Sequence, residues 1–270
     1  LGEPPHLRWK LHQPEPTRYA PEEIYGIVSA NKRSPTDNRE ILARLVDGSK
    51  FEEFKHLHGE TLICGFARIG GFEIGILANN GVMFSESSVK GAHFIELCCK
   101  RDIPLLFLVD VTGFMVGTAV ERKGIAKHGA KFMTAMACAD VPKYNITTGG
   151  AYAAGFMAML GRAFKPNATL MWPSAHSALM GPEQAATTLT MVRDNIHERE
   201  GTFWTDEERE EFKRPIRKSF EEFASPYNYA RNLWCDMVID PVETREVMAL
   251  LLDLAGRTPA KKTKFGVFRM

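Results

Sequence analysis

The stretch Thr148-Gly149-Gly150-Ala151-Tyr152-Ala153-Ala154-Gly155 decides how this chain is read. It follows an apolar, strand-like run (residues 141–147) and leads into a helix-like one (152–160). Two adjacent glycines at such a junction let the backbone turn sharply and lie bare. If the helix starts there, its first free N–H groups belong to Gly150 and Ala151, and the helix dipole favours negative charge in front of them. Two aimed backbone donors make an oxyanion hole. The same residues also suit a tight strand-to-helix turn that holds no ligand.

Working outward, strand, Gly-bearing turn and helix recur at roughly thirty- to forty-residue spacing, a rhythm suited to stacked βα units. Runs 61–69 and 72–78 are strands split by Gly70-Gly71, a hairpin signal. Residues 87–99 read as a helix, 104–109 as a strand, 124–139 as a helix and 168–172 as a strand. Upstream, Pro21-Glu22-Glu23 opens a short helix, residues 37–46 form another, and 51–54 are a strand candidate. The last third is helical (205–223, 227–234 and 244–254). Residues 1–20, rich in Pro and polar groups, read as a linker or tail, and residues 21–270 as one domain.

The chain has 270 residues, 44% hydrophobic and 25% charged, enough for a substantial core. Lys plus Arg is 34 against 33 Asp plus Glu, so charge balance gives no reason to expect nucleic acid or a membrane surface as partner. The longest apolar run, 103–109, is too short to span a bilayer. The chain begins without Met, as a fragment or processed product would. Five cysteines without C-x-x-C spacing read as buried free thiols. His56-x-His58 is the one metal-like spacing and reads as solvent-exposed; no metal is expected.

Glycines mark three strand ends: Gly81, Gly113 with Gly117, and Gly149 with Gly150. Ligand contacts gather at strand C-termini in such folds. None matches a phosphate loop, and no nucleophile elbow occurs. Ser85 and Ser87 read as helix N-caps and Glu183 as a first-turn acid. No side-chain base stands beside Gly149-Gly150. A backbone hole without a base suits a reaction whose base is the substrate or a cofactor.

Several ordered segments carry a resemblance: Asn79-Asn80-Gly81-Val82-Met83-Phe84-Ser85-Glu86-Ser87, Lys90-Gly91-Ala92-His93-Phe94-Ile95-Glu96-Leu97-Cys98-Cys99, Thr112-Gly113-Phe114-Met115-Val116-Gly117, Gly149-Gly150, Trp172-Pro173, Glu183-Gln184-Ala185-Ala186 and Phe265-Gly266-Val267-Phe268-Arg269-Met270. From about Tyr19 onward the chain resembles the carboxyltransferase β subunits of biotin-dependent acyl-CoA carboxylases, most of all the methylcrotonoyl-CoA members. The resemblance implies an α/β crotonase-like spiral of ββα units with C-terminal helices, corresponding to the C-terminal carboxyltransferase domain, with the family's N-terminal domain absent from this chain. It implies a ligase component that moves a carboxyl group from carboxybiotin to an acyl-CoA, 3-methylcrotonoyl-CoA or a related branched enoyl-CoA. The cofactors are then biotin, carried on a partner subunit, and coenzyme A within the substrate. The partners are an α subunit with biotin carboxylase and carrier functions and further β subunits in a homo-oligomer. The compartment is the mitochondrial matrix in a eukaryote and the cytoplasm in a bacterium.

By the same resemblance, Gly150 and Ala151 stabilise the ureido oxygen of biotin, and Gly113, Phe114, Gly149 and Tyr152 line its pocket. The stretch 50–79 corresponds to one associated with acyl-CoA. The chain departs from the methylcrotonoyl members in three ways: Ala151 and Ala153 stand where they have Ser and Gly, Phe156-Met157 where they have Asn-Tyr, and Asp110 where they have Asn; Asp110 and the Gly-Ala-Tyr order resemble the propionyl-CoA members. The second change makes the pocket wall more apolar, which leaves a longer or differently branched acyl group open as the substrate. Two other readings stay open: a crotonase-type hydratase or hydrolase using Glu86, Asp110 or Glu121, and a non-catalytic fragment used for assembly.

Overall fold

A computed structural model describes residues 6–28 and 36–266 and arranges them about one eight-stranded sheet. The strands are β1 (Glu52–Glu53), β2 (Leu62–Ile69), β3 (Phe72–Asn79), β4 (Leu105–Val111), β5 (Lys143–Tyr152), β6 (Ala168–Met171), β7 (His176–Ala178) and β8 (Met237–Val238). The helices are α1 (Ile24–Ile27), α2 (Asn38–Leu45), α3 (Ser85–Lys100), α4 (Thr118–Arg122), α5 (Ile125–Cys138), α6 (Ala153–Ala158), α7 (Pro182–Glu200), α8 (Asp206–Ala224), α9 (Pro226–Arg231) and α10 (Thr244–Gly256). The strand order is β1-β2-β3-β4-β5-β6-β8, with β7 paired to β5. β1, β2 and β3 are antiparallel neighbours; every other pairing is parallel.

The unbroken apolar runs follow from burial on both faces of the sheet. In β4, Leu106 and Leu108 face a core shared with Ile41, Leu42 and Leu45 of α2 and Met248 and Leu252 of α10. Leu105, Phe107 and Val109 face the opposite core, with Phe94 and Ile95 of α3 and Phe132 and Met136 of α5. The Gly70-Gly71 hairpin forms as expected, with both glycines at positive φ (59° and 84°), the conformation of a type I′ turn. The buried Asp47 carboxylate accepts the N–H groups of Gly70 (2.9 Å) and Gly71 (2.8 Å) and pairs with Arg245 of α10 at 2.7 Å.

Residues 6–20 hold no helix or strand, yet they lie against the body. Arg8 N–H bonds the Gly256 carbonyl, His12 N–H bonds that of Gly71, and Trp9 packs edge-on to Phe72. The last third is helical as read, with α7 and α8 packed as a pair and α8 against β7. Thr205 caps α8 through a reciprocal bond with Glu208. The short strands β7 and β8 carry no period that the sequence reveals. Residues 267–270 of the closing segment lie outside the described residues.

One buried charge stands out. Lys90 of α3 is fully buried, its Nζ has no hydrogen-bond partner, and Glu53 lies 4.0 Å away but is already held by Arg39 in two bonds of 2.9 and 2.8 Å. Desolvation therefore holds its pKa below the ordinary 10.5. Lys90→Met keeps the volume and leaves Glu53 paired, so it is expected to stabilise the fold by about 1 kcal/mol or more at neutral pH. The unfolded lysine binds its proton more tightly than the folded one, so native stability gains with pH below 10.5 from this group. The variant's advantage is therefore largest at neutral pH and shrinks toward 10.5, which urea unfolding of both proteins at a series of pH values checks.

Candidate functional site

β5 is longer than the apolar run that announces it. It runs through Gly149, Gly150 and Ala151 to Tyr152, and the helix begins only at Ala153. Its first half pairs with β6 and its second half with β7. Gly150 and Ala151 are thus strand residues, and α6, six residues long, is not what aims their N–H groups. The expectation of a helix N-terminus at this point is corrected.

An irregularity in the sheet replaces it. Val109 is in register with Thr147, and Val111 with Ala151, so Asp110 alone faces Thr148, Gly149 and Gly150. Such a bulge takes residues out of the ladder and re-aims their backbone groups. The N–H of Gly150 leaves the ladder and donates to Asp110 Oδ1 at 2.8 Å. Ala151 stays between its ladder partners Val111 and Ser177 and is fully buried. Of the two expected donors, the structure turns the Gly150 N–H away from β4 while Gly150 stays in register with His176 of β7, and it keeps Ala151 in register with both neighbours.

The glycine pair is required by what covers it. A Cβ on Gly149 would lie 2.4 Å from Asp110 Oδ1, and one on Gly150 would lie 2.9 Å from the Tyr152 ring. Asp110 and Tyr152 therefore sit on the backbone that the sequence presents as bare. Burial raises the Asp110 pKa and the Gly150 N–H opposes that rise; burial, and then the charge of Asp110, raises that of Tyr152.

The second glycine turn lies alongside. Met83 N–H donates to the Gly113 carbonyl (3.1 Å) and Met115 N–H to that of Met83 (2.9 Å), a short parallel bridge that joins the loops after β3 and β4. Gly113 and Gly117 have φ of 148° and 129° with open space where a Cβ would be. The Phe114 ring rests against α5, where a Cβ on Gly129 would meet it at 3.3 Å. Gly155 of α6 packs on the Gly113 backbone so closely that its Cβ would lie 2.8 Å from Gly113 Cα. Sequence reasoning missed Gly155, because close helix–turn packing leaves no local signal. Buried Asn79 braces the floor: its Oδ1 accepts the Asp110 N–H at 3.3 Å, and its carbonyl is bonded by Asn38 Nδ2.

Gly113, Gly149, Gly150 and Tyr152 thus gather on neighbouring strand ends, with Phe114 at the turn beside them. Other expectations change. Ser85 does not cap α3; its buried Oγ has no partner, and Ser87 Oγ is 2.7 Å from Thr61 Oγ1. Glu86 and Glu121 are exposed, whereas Asp110 reaches the glycine pair. Phe156 packs into the core beside α3 and α5, and Met157 lies against Gly161. All five cysteines are free, and burial pushes the Cys64 thiol up to about 12. Among the described residues, no His, Cys, Asp and Glu side chains are grouped to hold a metal ion, and no helix is long and apolar enough to cross a membrane.

Ala153 pays for its place in the turn. Its φ is +49°, where an L side chain meets the following carbonyl. Ala153→Gly is expected to raise stability by roughly 0.5–1 kcal/mol after the extra entropy of an unfolded glycine. A thermal melt showing no gain, or a loss, would count against the strain.

Comparison with known proteins identifies the family and the fold. Residues 8–268 match the model of the carboxyl transferase domain. The chain is 50% identical over 256 residues to a probable mitochondrial methylcrotonoyl-CoA carboxylase beta chain of Drosophila melanogaster, covering 95% of this chain and 44% of that protein. It is 49% identical to the biotin-dependent 3-methylcrotonyl-coenzyme A carboxylase beta1 subunit of Mycobacterium tuberculosis, covering 97% and 50%. The crystal structure of the geranyl-CoA carboxylase beta subunit of P. aeruginosa superposes with a TM-score of 0.84 at 36% identity, over 96% of this chain and 50% of that one. The transcarboxylase 12S structure, described as a hexamer assembly, gives 0.82 at 31%, over 95% and 50%. The chain spans about half the length of these relatives, and its mixed sheet flanked by helices is their crotonase-like fold. On the family match and these identities, the chain belongs to the carboxyl transferase domain family.

Proposed function

We propose that this chain supplies the biotin-facing half of a carboxyltransferase site that carboxylates an acyl-CoA, 3-methylcrotonoyl-CoA or a related branched enoyl-CoA. The observation that carries it is the Gly150 N–H, released from the ladder by the bulge and lying beside the open Gly113 turn. The residues fit a ureido group: a backbone donor outside the ladder to β4 and held by the Asp110 side chain, a turn whose glycines leave room above them, and the Phe114 and Tyr152 rings at its sides. When bound, carboxybiotin would supply both the carbon dioxide and the base, so the one carboxylate that the structure, against the sequence expectation, places beside Gly150, that of Asp110, is not needed as the base.

In this reading the Gly150 N–H, with Ala151 behind it, stabilises the negative charge that develops on the ureido oxygen, and Gly149 lets the ring approach the backbone. Gly113 and Phe114 orient the ring, and Tyr152 closes the site against water. The acyl-CoA thioester is held by residues outside this chain. A biotin-bearing α subunit and further copies of the β subunit complete the assembly, in the mitochondrial matrix of a eukaryote or the cytoplasm of a bacterium. Substrate choice rests on relatives near 50% identity named for methylcrotonoyl-CoA.

The test is a panel of acetyl-, propionyl-, 3-methylcrotonoyl- and geranyl-CoA, with ATP and labelled bicarbonate, on the full-length subunit joined to its biotinylated partner. Highest kcat/KM is expected with 3-methylcrotonoyl-CoA. Label in none of the four products, or hydration of an enoyl-CoA by the chain alone, would sink the proposal.

A further inference from the structure

The donor proposed for the ureido oxygen already has a ligand. Asp110 Oδ1 lies 2.8 Å from the Gly150 nitrogen, at hydrogen-bond distance and so in the place an oxyanion would take. Three features hold it there. Gly149 has no side chain, and any Cβ would collide with the carboxylate. Asn79 Oδ1 accepts the backbone N–H of Asp110 and fixes the strand from below. The bulge sets Asp110 alone opposite the three residues 148–150, so its side chain is the group that reaches the freed donor.

This arrangement conflicts with the proposed chemistry. A carboxylate beside the hole repels the negative charge that the hole is meant to stabilise, and a charge-assisted bond is about twice as strong as a neutral one. The ureido oxygen is neutral when it arrives, so it competes at a disadvantage for a donor held by a charged acceptor.

We infer that Asp110 is an internal ligand of the Gly150 N–H, which biotin must displace, and that this residue sets the affinity of the site for the ureido group. The inference rests on the proposed biotin reading. The carboxylate satisfies an otherwise unpaired donor; on binding of biotin it gives up that donor by rotating away or by taking a proton. Asp110 is therefore a specificity-determining residue, and asparagine in its place provides the same acceptor without the charge.

Protonation of Asp110 weakens its hold, so the affinity for biotin depends on pH. The groups around it make this legible. Tyr152, from β5, is the titratable side chain that feels its charge; burial, opposed by the Gly150 N–H, sets the direction of the Asp110 shift. Burial moves the carboxyl upward from its ordinary value.

The experiment is calorimetric binding of free biotin to the full-length subunit, assembled with a partner whose biotinylated lysine is replaced by arginine, from pH 8 to pH 5.5. Parent, Asp110→Asn and Gly150→Pro proteins are compared, with thermal melts to confirm folding. In the parent, affinity is expected to rise as pH falls. In Asp110→Asn it is expected to be about tenfold tighter at pH 8 and flat with pH, the fold-change that separates a charged from a neutral acceptor. Gly150→Pro is expected to lose binding. Loss in Gly150→Pro together with unchanged affinity and unchanged pH dependence in Asp110→Asn would overturn the inference and leave the biotin reading standing. Equal binding by Gly150→Pro and the parent would overturn the reading itself. A parent affinity flat across the pH range would overturn the inference even if the asparagine variant failed to fold.

Discussion

Gly150→Pro lowers carboxyl transfer by about 10²–10³-fold relative to a Gly150→Ala control, the usual cost of deleting one oxyanion-hole donor. The control is needed because any side chain at this position is crowded: a Cβ lies 2.9 Å from the Tyr152 ring. Alanine carries that crowding and keeps the N–H; proline carries it and removes the N–H. The ratio of the two variants therefore isolates the donor. Proline also strips Asp110 of its bond, leaving a half-buried carboxylate without that donor. A loss of stability beyond that of alanine is expected, so transfer is compared at a temperature where both variants remain folded. Single-turnover transfer from a carboxylated carrier domain to acyl-CoA is the measurement. Equal rates for the two variants would remove Gly150 from the hole.

Asp47→Ala costs about 3–5 kcal/mol of stability, as expected when one partner of a buried, hydrogen-bonded pair is deleted. Asp47 binds three donors at once: the Gly70 and Gly71 N–H groups and the Arg245 guanidinium. Arg245 also donates to the carbonyls of Leu45 (3.0 Å) and Glu15 (2.7 Å). The carboxylate thus joins the β2–β3 hairpin, α10 and the segment after α2. Alanine leaves two turn amides and a largely buried guanidinium without their acceptor. For a protein of this size, a loss of that order lowers the melting temperature by roughly 10 °C. Asp47→Asn keeps the shape and part of the hydrogen bonding but loses the charge, and an intermediate loss is expected. A melt within 2 °C or so of the parent for Asp47→Ala would contradict this account, since that shift corresponds to under about 1 kcal/mol.

These two cases divide what is legible locally from what is not. The Gly70-Gly71 turn shows in the sequence because a two-residue hairpin needs positive φ at both positions, a demand set within four residues of chain. The acid that holds it shows nowhere near it, because Asp47 is 23 residues from Gly70 and Arg245 lies further still. In the same way the helix positions of α2, α3, α5, α8 and α10 follow from apolar spacing and caps. The end of β5 does not. Thr148 to Tyr152 have no apolar period, and only pairing with β4 and β7 keeps them extended.

By itself, then, the sequence determined the alternation of strands and helices, the glycine-marked strand ends after β3 and β4, and the ordered segments that place the chain in its family. Those depend on local backbone preference and on the residue types present. Tertiary structure decided how the Gly150 N–H is freed. A bulge sets one residue of β4 against three of β5, and Asp110, forty positions away in the chain, is brought onto that donor. Register between strands is a long-range property fixed by packing on both faces of the sheet, so neither the bulge nor the carboxylate at its centre can be read from the residues that form the turn.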